Sequence, residues 1–132
     1  MTERLLHEQL TRSVIGAFYE VYNTFKHGLL ESLYLAALER ELRARGHRVS
    51  RECAVRVMYK GEEIGWQRLD MVVDDLLIVE AKSTSVLHES AARQLYTYLR
   101  ATNLEVGLLL HFGPRAQFFR LIYENRLKGR EG

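Results

Sequence analysis

The run QRLDMVVDDLLIVEAKS, residues 67–83, constrains this chain more than any other stretch. It holds two apolar segments parted by Asp74-Asp75, a pair suited to a tight turn. Two short, largely buried strands are expected, and they carry Asp70, Glu80 and Lys82. A hydrophobic core does not accept such side chains without partners. A divalent cation held by the carboxylates, with phosphate nearby, would supply them.

Register decides whether the three converge. A two-residue loop at 74–75 would set Val73 opposite Leu76 and Asp70 opposite Val79, sending Glu80 to the other side of the sheet. A three-residue loop, or a bulge, sets Asp70 opposite Glu80, and the period of two then adds Lys82. The second register is the one expected.

On one face the two carboxylates repel and are driven toward protonation unless a cation lies between them. Mg²⁺ takes hard oxygen ligands, keeps several waters and needs only one or two protein carboxylates beside substrate phosphate. The Ala81 backbone carbonyl is a further candidate ligand, and Lys82 would reach an attacking water or a phosphate. Spacing alone leaves a second reading open, in which Asp70 and Glu80 are strand-end carboxylates paired with Arg68, Arg51 or Lys82.

The remaining chain reads as a mixed α/β (α+β) domain. Leu10, Val14, Phe18, Val21 (or Tyr22) and Phe25 step by three and four, giving a helix over 5–26 that Gly28 stops. A second helix over about 30–45 has Leu30, Leu33, Leu38 and Leu42 as its expected buried side, and Gly46 ends it. From Val49 the period becomes two, with a turn at 60–63 and strands at 64–73 and 76–82. A third helix covers 88–102, packing through Ala92, Leu95, Tyr96 and Leu99. Strands at 105–112 and 116–122 follow, and the tail from Asn125 is expected to fray. The order is ααβββαββ, a mixed central sheet flanked by helices.

Length fits a single domain, 1–132, with its core at about 11–122. No apolar run approaches the roughly 20 residues that cross a bilayer, and no membrane partner is expected. The charged start, MTERLLHEQL, lacks a secretory apolar stretch, and the lone Cys53 suits a reducing cytoplasm. A net charge of +2 is too small to diagnose nucleic-acid binding by itself.

Two further clusters carry polar chemistry. Gly28 precedes Glu31 and Tyr34, which share a helix face three residues apart. Glu31 could simply complement the helix dipole, and Tyr34 could simply pack. Gln94 and Tyr98 stand four apart on the third helix. Among the other polar residues, His27, His88 and His111 lack metal-ligand spacing, and His7 and His47 are expected to be solvated. Cys53 is expected as core filler, and Trp66 and Phe118-Phe119 as core or interface. Lys26, Arg68, Arg93 and Arg100 could track phosphates.

Taken in order, these clusters resemble the GxxExxY family of the PD-(D/E)XK nuclease superfamily. The resemblance runs from about Thr11 to Leu121 through ESLYLAALERELRARGH, LDMVVDDLLIVEAKS and QLYTYLRATNLEVGLLLHFG. It implies a restriction-endonuclease-like core in which Asp70, Glu80 and Lys82 match the catalytic signature. Glu31 would match the helical acid that completes the metal site beside Asp70, Glu80 and the Ala81 carbonyl. Gln94 and Tyr98 match the Q-x3-Y element of the RecB-like branch, which lies near the substrate strand; Tyr34 and Arg68 are counted with them as substrate-binding. Family members often carry Arg-x-Asp before the catalytic acid, and Arg68-Leu69-Asp70 keeps that arginine.

The implied activity is Mg²⁺- or Mn²⁺-dependent hydrolysis of phosphodiesters in DNA or RNA, with DNA the favoured substrate. A module of such modest charge would need a second copy of itself or a protein partner for affinity. A catalytically silent assembly module is the alternative, against which the intact Asp70–Glu80–Lys82 set argues. An enzyme acting on a different phosphate ester is a third.

Overall fold

A computed structural model describes residues 7–128. Helix α1 (Glu8–Phe25) and helix α2 (Glu31–Ala44) precede three strands, β1 (Val49–Tyr59), β2 (Glu62–Val73) and β3 (Leu77–Lys82). Helix α3 (Glu89–Ala101), strands β4 (Val106–Phe112) and β5 (Ala116–Ile122) and a helical turn, α4 (Asn125–Lys128), complete the order. The five strands form one sheet in sequence order, antiparallel throughout except for the parallel β3–β4 pair. The expected ααβββαββ sequence of elements is thus present. Of the tail expected to fray from Asn125, residues 125–128 form the helical turn α4, where the Lys128 ammonium donates to the carbonyls of Thr102 (2.8 Å) and Leu104 (2.7 Å), and residues 129–132 lie outside the described residues.

Two apolar layers enclose the sheet. On one face α1 and α2 pack Val14, Phe18, Val21, Leu38 and Leu42 against Met71, Val73, Leu77, Val79 and Leu108. On the other, Leu95 and Leu99 of α3 cover Leu69, Val72, Ile78 and Leu109. Strand β4 is buried along its whole length and β3 up to Lys82, as expected of parallel strands covered on both faces. No helix among the described residues is long and apolar enough to cross a membrane.

The stripe of α2 differs from expectation. Tyr34, Leu35, Leu38 and Leu42 are buried, whereas Leu30 and Leu33 are 70% and 49% exposed. Both sets step by three and four, and the packing of α2 beside α1 selects the first. Tyr96, Phe118, Phe119 and Trp66 are likewise exposed, so Trp66 and the phenylalanine pair are not core.

The β2–β3 turn has three residues: Val73 lies opposite Leu77, Val72 opposite Ile78 and Met71 opposite Val79. Continued by one step, that register brings Asp70 to Glu80, as expected. Asp74 and Asp75 both adopt left-handed backbone, with φ of 54° and 58°, a conformation aspartate tolerates better than most residues. Asp74 is fixed further by its carboxylate, which accepts the Arg48 N–H (2.8 Å) and pairs with His47 Nδ1 (2.7 Å). Its own N–H donates to the Arg48 carbonyl (2.9 Å). Removing that carboxylate leaves strained backbone and unpaired donors, so Asp74→Ala should cost about 2 kcal/mol. Urea unfolding checks this: the midpoint should fall with the slope unchanged, and a change below about 0.5 kcal/mol would show the turn to be set otherwise.

Candidate active site

The β2–β3 ladder stops at Met71 and Val79, and both strands run on past it. At this level β2 changes face. Leu69 packs with the α3 layer and Met71 with the α1–α2 layer, although strict alternation would put both on one side. Strand β1 turns in step: Arg51 bonds Glu39 of α2 (3.1 Å), Cys53 packs on the α3 side, and Glu52 between them has φ of +49°. Nothing in an alternating strand pattern marks Glu52 as a kink, so the sequence offered no signal for it.

The kink and the ladder's end open a gap that two carboxylates fill crosswise. Glu80 Oε2 accepts the Asp70 N–H at 3.0 Å, and Asp70 Oδ2 accepts the Ala81 N–H at 3.2 Å. Each acid thus satisfies backbone at the other's strand and keeps a second oxygen for another partner. In extended backbone the N–H and C=O of one residue point the same way, so the Ala81 carbonyl faces this gap too. Glu80 is buried, while Asp70 and Lys82 are half-buried.

Burial, then the adjacent Asp70 charge, push the Glu80 carboxyl up to about 7, against the Asp70 N–H and the Lys82 ammonium, which pull it down. The two carboxyl groups are themselves within hydrogen-bonding reach. Such a pair requires a proton or a cation between its members. Oxygen-only donors, a spare oxygen on each acid and a nearby carbonyl suit a hard divalent ion.

Glu31 reaches the same end of the sheet from α2, through a loop built for it. Gly28 has φ of +133°, which side chains rarely allow, and Lys26 before it has φ of 59°. The Tyr34 hydroxyl holds this loop by donating to the Lys26 carbonyl and accepting the Leu29 N–H (3.1 Å). Its ring stacks on Phe112 at 4.2 Å, and His27 Nδ1 meets the Phe112 carbonyl at 2.8 Å. Tyr34 is fully buried, so the substrate contact expected of it is corrected: it positions the turn from which Glu31 starts.

The Glu31 carboxyl accepts the Ser83 N–H and feels both Lys82 and Asp70; burial is the largest influence and raises its pKa. Glu31 does not close a ligand cluster with the pair. Among the described residues, no three His, Cys, Asp or Glu side chains gather closely enough to hold an ion by themselves.

Helix α3 flanks the site. Gln94 is exposed and lines a cavity of about 290 Å³ together with Lys82, Thr84, His88 and Ser90. Tyr98 is half-buried, and its phenol is pushed up by burial and by the charges of Glu80 and Asp70, which places it beside the pair. It accepts a long hydrogen bond from Gln67 Nε2 (3.4 Å), so the glutamine it meets is Gln67 rather than Gln94. Arg68 is exposed and pairs with Glu52 at 3.0 Å, at the kink. His47, expected in solvent, is instead enclosed between Ser13 and Asp74.

A carboxyl whose pKa is higher folded than unfolded opposes folding once it ionises. For Glu80 the opposition is absent below its ordinary 4.5, grows as pH rises and is complete above about 7. In chelator, stability of the wild-type chain should therefore fall between pH 5 and pH 8 more steeply than that of Glu80→Gln. Parallel slopes in thermal melts of the two proteins would contradict the assignment.

No curated protein and no solved structure matches the chain. A family model described as the PD-(D/E)XK nuclease superfamily does, over residues 8–121. That span contains all three long helices and every strand but for the last residue of β5, and with them the crossed pair of acids and the lysine two residues beyond. The chain belongs to the PD-(D/E)XK nuclease superfamily.

Proposed function

We propose that this protein is a divalent-metal-dependent nuclease of the GxxExxY type, in the RecB-like branch, hydrolysing phosphodiester bonds in DNA. The reading rests chiefly on the reciprocal capping of Asp70 and Glu80, with Lys82 one inward position further along β3. Asp70, Glu80 and the Ala81 carbonyl would hold Mg²⁺ or Mn²⁺, with Glu31 the further acid of the set. When bound, such an ion polarises the scissile phosphate and acidifies a coordinated water.

The chain's own groups do the rest. Lys82 orients the attacking water and offsets charge developing on the phosphate. Glu31, by holding the Ser83 N–H, fixes the backbone that follows Lys82. Gln94 binds a phosphate oxygen or base edge from the cavity it shares with Lys82. Tyr98 offers its ring to a base, and Arg68 leads the strand in from the kink. Attack by external water needs no 2′-hydroxyl, so DNA is a competent substrate. With a net charge of only +2, affinity would come from a second copy or a protein partner. The single cysteine suits work in the cytoplasm.

Plasmid, single-stranded DNA and RNA incubated with purified protein and Mn²⁺ test the proposal. Cleavage should be abolished by chelator and reduced about 10²-fold or more by Asp70→Asn, Glu80→Gln and Lys82→Ala. Equal cutting by wild type and variants would mean a contaminant, and the enzymatic reading would fail.

A further inference from the structure

Lys82 is the last residue of β3, and the final rung of the β3–β4 ladder pairs it with His111. Alternation sorts both residues onto one face. Val79 and Ala81 belong to the α1–α2 layer, so Glu80 and Lys82 turn toward α3. On β4, Leu110 and Phe112 belong to the α1–α2 layer, and His111 between them turns toward α3 as well. The lysine stem and the imidazole therefore stand side by side.

The end of a strand frays unless the chain beyond it is held. His111 supplies that hold. Its ring is 3% exposed, and Nε2 lies 2.6 Å from the carbonyl of Thr84, two residues past Lys82. A carbonyl only accepts, so Nε2 carries the ring proton and donates it. From the opposite layer, Glu31 accepts the Ser83 N–H. Two successive residues after Lys82 are thus gripped from the two sides of the sheet. Thr84 Oγ1 donates onward to the Val86 carbonyl at 2.7 Å, and Thr84 shares with Lys82 the cavity that Gln94 lines.

The position of the ring is itself enforced. Nδ1 lies 3.4 Å from Gln117 Oε1 on β5. A Cβ at Gly113 would come within 2.6 Å of Nε2, so the ring keeps its place only beside glycine. The Gly113 carbonyl accepts the Tyr22 hydroxyl of α1 at 2.7 Å, a buried bond that keeps this backbone against the imidazole.

We infer that His111 is a positioning residue for Lys82: by holding the Thr84 carbonyl it fixes the end of β3 and so the direction of the ammonium. This rests on the nuclease reading, in which Lys82 meets the attacking water and the phosphate. A plain tether between β4 and the loop after β3 would need the same bond but would not act through Lys82.

A double-mutant cycle separates the two accounts. Single-turnover DNA cleavage in Mn²⁺ is compared for wild type, His111→Leu, Lys82→Ala and the double variant, with thermal melts confirming that each is folded. His111→Leu fills much of the ring's space without a donor, and should slow cleavage about 10-fold or more. In the Lys82→Ala background the same change should slow it less than about 2-fold. His111→Gln, whose amide N–H reaches as far as Nε2, should restore most of the lost rate. Gly113→Ala, which displaces the ring, should repeat the His111→Leu result, and it takes that place in the cycle if His111→Leu does not fold. Amide hydrogen exchange in chelator reads the hold without activity: exchange over residues 83–88 should quicken in His111→Leu and not in His111→Gln. Equal slowing in both backgrounds, no slowing in the folded variant, or unchanged exchange would reduce His111 to a tether. No cleavage by wild type would instead overturn the nuclease reading, and this role for His111 with it.

Discussion

Asp70 and Glu80 each bond a backbone N–H at the other's strand, and most of what distinguishes this structure follows from that exchange. Where a sheet ladder stops, exposed donors usually find water or a further strand. Here they find carboxylates, so two acids that would ordinarily avoid each other are pinned in contact. Burial adds to their repulsion, and the Glu80 carboxyl rises to about 7 as a result. The pair costs the fold stability in the ionised form, and the ligand that best offsets the cost is a small, hard cation.

The surrounding elements present groups to that point. The kink at Glu52 and Asp70 lets β1 and β2 change face together, so the strands keep their register while the ladder to β3 ends. From the other layer, the Gly28 turn and the buried Tyr34 hydroxyl deliver Glu31 to the Ser83 N–H. Helix α3 contributes Gln94 and Tyr98 on one face. The spacing of Gly28, Glu31 and Tyr34 thereby has a mechanical reason: one residue permits the turn, one holds it, and the one between reaches the Ser83 N–H at the end of the sheet where the crossed acids lie.

Much of this was legible in the residues. The Asp74-Asp75 pair between apolar runs foretold the hairpin, and a three-residue loop followed from asking which register would bring Asp70, Glu80 and Lys82 together. Helix and strand positions were legible wherever periodicity was strong. Side-chain roles set by tertiary contacts were not. Leu30 and Leu33 satisfy the helical period yet lie exposed, because α1 covers a neighbouring stripe of α2. Tyr34 was read as a substrate contact, and only the loop folded back over it shows where its hydroxyl goes. His47 was read as solvated because Ser13 and Asp74 are 34 and 27 residues away in sequence. Glu52 gave no signal, since a left-handed glutamate within a strand has no local pattern.

The central claim is that the crossed acids of β2 and β3 form a divalent-cation site. Calorimetric titration of Mn²⁺ into metal-free protein at pH 8 tests it most directly, with Asp70→Asn as the comparison. Saturable binding in the wild-type chain, lost in Asp70→Asn while the variant remains folded, is the predicted result. Equal binding by both proteins, or none by the wild type, would contradict it.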